Sequence, residues 1–160
     1  MVASCFGKEG LRQVDPGLFM DSLPEIRNKL GNDRALLRAI HFFQENGRVL
    51  EMIRALKTRD IERYLTLVNQ CGESSFCFLQ NAYVNEAPCR QPISLGIALS
   101  KEFLGGQGAV RLHGGGFAGT IQAYVPQAMT TGYVAAMEHV FGKGCCTLIA
   151  IRPRKTSIIG

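Results

Sequence analysis

The chain has 160 residues, 46% hydrophobic and 19% charged, with a formal charge of +5 at pH 7. That is ordinary composition for one globular domain (residues 1–160) with a full core, and it excludes a disordered or low-complexity chain. No apolar run approaches the ~18 residues of a membrane span, no signal-peptide pattern opens the chain, and the basic residues are dispersed rather than patched, so neither membrane nor nucleic acid is an expected partner.

The N-terminal third reads as helices. Ser22-Leu-Pro-Glu25 has the form of a capping box, with Ser22 accepting from a helix-start amide and Glu25 reaching back. Gly31 is placed as the stop. Asn32 or Asp33 then caps a long helix with the stripe Leu36, Ile40, Phe43, Leu50 and Ile53, its face interrupted by Gly47. Thr58 is expected to open the next helix, with Ile61, Tyr64, Leu65 and Val68 on one side and an antiparallel packing onto the first. Between Gly72 and Pro92 the pattern weakens. Phe76, Phe78 and Leu79 suit a helix end, and residues 85–88 a loop. Residues 91–104 return to helix, with Pro92 in the first turn and Gly105-Gly106 ending it.

The last third changes period. Residues 109–113 and 119–125 read as an antiparallel strand pair, residues 127–141 as a helix stopped by Gly142, and residues 147–151 as a third strand. That helix carries Tyr133, Val134, Met137 and Val140 as its apolar positions. The pattern predicts an α+β domain: an antiparallel sheet with helices packed on one face and additional N-terminal helices.

The six cysteines are Cys5, Cys71, Cys77, Cys89, Cys145 and Cys146. They show no C-x-x-C pairing, so no zinc site is expected, and all six are read as reduced thiols. Cys145 and Cys146 head the apolar third strand and would there point to opposite faces.

The strand pair is joined by Gly114, Gly115, Gly116, Phe117, Ala118 and Gly119. Such a run costs conformational entropy and belongs where a hairpin turns tightly or a ligand approaches the backbone. It is neither a dinucleotide fingerprint nor a Walker loop. The stretch from Gly108 to Pro126 resembles the third motif of the GHMP small-molecule kinases and, within them, the galactokinases. Other stretches share that resemblance: residues 31–35, residues 38–49, Ser74-Ser75 with Leu79-Gln-Asn81, and residues 146–153. The resemblance covers nearly the whole chain.

It implies the ferredoxin-like C-terminal domain of a GHMP kinase, located in the cytoplasm. The family's sugar-recognition motif, its central phosphate loop and its aspartate base have no counterpart here. The implied parent therefore has a missing N-terminal domain as partner, and Met1 is expected to be an internal methionine. The implied reaction is ATP-dependent phosphorylation of galactose with ATP and Mg²⁺, by the full-length enzyme. The isolated chain is expected to be inactive, with no catalytic residue and no metal ligand of its own. A separated half should expose apolar surface, which leaves self-association open, and the oligomeric state is not readable from the sequence. A galactokinase-like sensor of sugar and nucleotide, or a GHMP kinase for another sugar, stays open.

Among residues with chemical potential, His41 reads as a satisfied packing group and His139 as surface. His113 precedes the glycine run and is expected to support that loop by a side-chain hydrogen bond. Arg111 is expected to pair structurally with an acid, with facing the nucleotide as the alternative. Ser74 and Ser75 read as caps of a helix end rather than nucleophiles.

Overall fold

The computed structural model describes residues 1–117 and 119–149. Two short 3₁₀ turns, Ala3–Phe6 and Leu11–Gln13, lead into α1 (Pro16–Asp21) and α2 (Leu23–Leu30). Asp15 caps α1 by accepting from the Leu18 N–H at 2.8 Å. The capping box at Ser22 does not form. Ser22 joins α1 to α2 at φ −88° and ψ 0°, and its hydroxyl makes no capping bond. An N-cap needs a more extended backbone than this continuous turn allows. Gly31 ends α2 in the left-handed conformation, as expected. Across that break the Arg27 guanidinium forks onto Asp33, with Nε to Oδ1 at 2.8 Å and Nη2 to Oδ2 at 3.0 Å.

Asn32 caps α3 (Asp33–Thr58), its Oδ1 accepting from the Ala35 N–H at 3.0 Å. The helix runs through Gly47 without a break. Its first half builds the N-terminal core: Leu36 and Ala39 pack with Phe19, Ile26 and Val14, and Phe43 lies against them. The second half departs from the expected stripe, because Leu50 is 57% and Ile53 44% exposed. The face that meets the next helix instead carries His41, Glu51 and the buried Ala55. His41 and Glu51 are only partly buried and find partners across the contact, while Ala55 is the buried residue of this half.

Thr58 closes α3 rather than opening its successor. Its Oγ1 donates back to the carbonyls of Arg54 and Ala55, at 3.0 and 3.1 Å, which suits a helix end and leaves it no capping role. Arg59 takes the left-handed turn at φ 59°, and Asp60 caps α4 (Ile61–Ser74) by accepting from the Arg63 N–H. The two helices are antiparallel as expected. Arg63 pairs with Glu51 near the turn, and Ser74 meets His41 at the far end.

A π-helical turn, Ser75–Leu79, extends α4 and ends at Gln80 with φ 53°. After a loop come α5 (Pro92–Leu104), stopped by Gly105, then β1 (Ala109–Leu112) and β2 (Ile121–Tyr124). The strands are antiparallel, with Ala109 opposite Tyr124 and Leu112 opposite Ile121. A 3₁₀ turn, Gln127–Met129, opens onto α6 (Thr130–Phe141), which buries Tyr133 and Met137, while Val140 is 46% exposed. Residues 147–149 do not form the expected third strand, and Ala150 and Ile151 lie outside the described residues.

The α+β class holds, with a two-stranded antiparallel sheet among the described residues. Helices cover both faces of that sheet, not one. α4 lies on the Arg111 side, so close at Gly72 that an added Cβ would fall 2.9 Å from the Val110 carbonyl oxygen. α5 lies on the other, where Ile93 and Ile97 pack with Leu112 and Ile121. The sequence of β1 explains this: three of its four residues are buried, so neither face can be left to water.

The outer edge of β1 is also occupied. Asn69 of α4 accepts from the Val110 N–H at 3.0 Å and donates to the Gly108 carbonyl at 3.1 Å. Its carboxamide thus stands where a neighbouring strand would pair.

Candidate functional site

β1 and β2 hold the glycine loop between them, closed at its base by the His113 N–H donating to the Thr120 carbonyl at 3.2 Å. Gly114, Gly116, Phe117 and Gly119 all have positive φ, at 68°, 83°, 60° and 86°. Ala118 lies outside the described residues.

Asn81 is the post around which this loop bends. It is 2% exposed, its Nδ2 donates to the Gly115 carbonyl at 3.0 Å, and its own carbonyl accepts from the Phe117 N–H at 3.0 Å. A Cβ on Gly116 would lie 2.5–2.6 Å from three Asn81 atoms. Phe117 is driven into the left-handed region, and its ring stays half-exposed. The Asn81 Oδ1 is buried with no hydrogen-bond partner.

The N–H groups of Gly114, Gly115 and Gly116 donate to no other described residue. Consecutive amides without a partner among the described residues, in a backbone of positive φ at Gly114 and Gly116, are the kind of donors that can meet an anion.

The supporting residues stand as follows. The His113 side chain is exposed and makes no hydrogen bond among the described residues; its backbone, not its imidazole, closes the loop. Arg111 is half-buried and pairs structurally, but not with an acid. Its Nε donates to Gln122 Oε1 at 3.2 Å and its Nη1 to Cys71 Sγ at 3.4 Å. No carboxylate among the described residues lies within ion-pair distance of it.

Behind Arg111 a polar layer runs between α3 and α4. Burial first, and then Glu45, push the Cys71 thiol above its ordinary pKa, and Glu45 itself is ion-paired to Arg48. His41 Nδ1 lies 2.9 Å from Ser74 Oγ, and burial lowers the imidazole's pKa. His41 is therefore the satisfied packing residue expected. Ser74 is no helix cap: it is buried inside the α4 turn and partnered by His41. Ser75 is buried as well, with no capping bond, because the chain continues helically through both serines. Next to Arg111, Tyr64 and Tyr124 share a hydrogen bond of 3.2 Å, and burial with that bond pushes Tyr124 up to about 12.

Asn81 falls in a stretch that carries the family resemblance, but nothing in the sequence assigns it a role. Its contacts join residues 34 positions apart, and no local pattern marks such a post. The His41–Ser74 contact, 33 positions apart, escaped for the same reason.

The hairpin from Ala109 to Tyr124 contains no Asp or Glu. Among the described residues no cluster of three or more His, Cys, Asp or Glu could hold a metal ion. Magnesium takes oxygen ligands, usually carboxylates, so the residues present do not fit it. A surface notch of about 330 Å³ between α1 and α3, lined by Pro16, Phe19, Met20, Ile40, Phe43 and Gln44, shares no residue with the loop. No helix among the described residues is long and apolar enough to cross a membrane.

No protein-family model matches the chain. Curated proteins do match it, and they are of the kinase class. They are galactokinases: one from Glaesserella parasuis serovar 5 and two from Actinobacillus pleuropneumoniae, serotypes 3 and 5b. Each is 32% identical to this chain over 124 residues. Those residues are 78% of this chain but 30% of each relative, so the chain spans under a third of the length of the curated relatives it matches. The galactokinase resemblance read from the sequence is thereby borne out.

Proposed function

We propose that this chain is the C-terminal domain of a galactokinase of the GHMP class, with the ferredoxin-like topology of such domains. Its complete protein would transfer the γ-phosphate of ATP to the C1 hydroxyl of galactose. The observation that carries the reading is the Asn81-braced glycine loop, whose amides at Gly114, Gly115 and Gly116 have no partner among the described residues and suit a phosphoryl oxygen. Phosphoryl transfer is served mostly by positioning and by donors aimed at developing charge, and backbone amides supply both without a proton transfer. The loop is one wall of the proposed cleft. The aspartate base, the Mg²⁺ ligands and most sugar contacts belong to the N-terminal domain that the reading requires. On this reading the complete protein works in the cytoplasm and the isolated chain is inactive.

The experiment joins this chain to the N-terminal half of a galactokinase and follows galactose 1-phosphate from ATP and galactose. Activity in the joined protein and none in the 160-residue chain is the expected result. Turnover by the chain alone, or a well-folded joined protein that stays inactive, would sink the reading.

A further inference from the structure

The structure brings Cys145 and Cys146 into a geometry the sequence did not suggest. In an extended strand, adjacent side chains point to opposite faces. Here the two Sγ atoms are 3.8 Å apart, with Cys145 exposed and Cys146 partly so. The segment is not a strand but a turn that follows α6, and it is pinned twice. The Gly144 N–H donates to Glu138 Oε1 at 2.8 Å, and the Cys145 N–H to the Gly142 carbonyl at 3.3 Å. The turn leading into the pair is thus held as far as Cys145, and the two thiols lie side by side just beyond it.

We propose that Cys145 and Cys146 form a bidentate dithiol site for a soft, thiophilic centre with two open valences, of which a trivalent organoarsenical is the type. The ligand class follows from the donor set. Two sulfurs are present, and no cluster of three or more metal-binding side chains exists among the described residues, so a four-coordinate zinc centre is not served. Soft sulfur donors select soft acceptors.

The chemistry also separates ligation from thiol–disulfide exchange. Burial, and then Cys145, push the Cys146 thiol up to about 11, so Cys146 itself is a poor attacking thiolate for exchange. An arsenical oxide does not impose that requirement. In R–As=O plus two thiols, two As–S bonds form, the As=O bond is broken, and both thiol protons leave with the oxygen as water. No oxidant or reductant takes part.

The site is independent of the kinase reading and is tested on the full chain with phenylarsine oxide. Intact mass should show one phenylarsenic group per chain with loss of two protons, resistant to excess monothiol and removed by a 1,2-dithiol. Holding the second thiol in place should strengthen binding roughly hundredfold over a single cysteine. Cys145→Ser and Cys146→Ser should each lose the monothiol-resistant adduct, while Cys77→Ser keeps it. Circular dichroism of each variant confirms the fold. An adduct that persists in either serine variant, or a wild-type chain whose adduct monothiol strips, overturns the proposal.

Discussion

Asn81 fills the space that a side chain on Gly116 would occupy, with three of its atoms within 2.6 Å of where that Cβ would be. The loop tip is therefore set by a residue that is not in the loop. Its shape depends on a contact between the end of α4's π turn and the β1–β2 connection.

Gly116→Ala tests that contact against its neighbour. At Gly116 the new methyl meets Asn81 and the backbone sits at φ 83°. Such strain costs about 1–3 kcal/mol, so the urea midpoint should fall measurably. At Gly115 nothing lies within 4 Å and φ is not positive, so Gly115→Ala should stay within about 0.5 kcal/mol of wild type. Equal losses at the two glycines would show that Asn81 does not shape the tip.

Asn81→Ala removes the donor to the Gly115 carbonyl and opens space beneath Gly116. A loss of about 1–3 kcal/mol is expected by denaturant unfolding. The amide resonances of Gly114 to Phe117 should shift or broaden, while those of α1 and α2 stay in place. Unchanged loop resonances would remove Asn81 from its role.

Asn69→Ala should weaken the sheet from its edge. It leaves the Val110 N–H and the Gly108 carbonyl without their partner, a loss of about 1–3 kcal/mol for each group that water cannot reach. Hydrogen exchange at Val110 should rise well above that at Arg111, whose N–H faces β2. Equal exchange at the two positions would count against the clasp.

Burial holds the pKa of His41 below the ordinary value of about 6.5. The unfolded chain then binds the proton more readily than the folded one. Stability is fully present above pH ~6.5 and is lost as pH falls through the lower, folded value. Denaturant unfolding from pH 7.5 to 5 should show that decline, and His41→Gln should flatten it. A slope unchanged in the variant would assign the acid sensitivity elsewhere.

What the sequence disclosed was set by how far each cause reaches along the chain. Gly31, Gly105 and Gly142 stop their helices, Pro92 opens one, and the strands flanking residues 114–119 pair as read, because each depends on neighbours within a few positions. Thr58 was misplaced because Arg59, not a glycine, takes the left-handed turn. Leu50 and Ile53 continue the apolar stripe yet stay exposed, because apolar periodicity does not tell which face meets another helix, and here Ala55 makes that contact. The same limit applies to the loop. Its glycines were legible, but the asparagine that shapes them lies in a separate element.

Asn69 has one more effect. By occupying the outer margin of β1 at Val110 and Gly108, its carboxamide closes those two backbone groups to an incoming segment. A strand added along that margin would first have to displace a side chain that already plays its part.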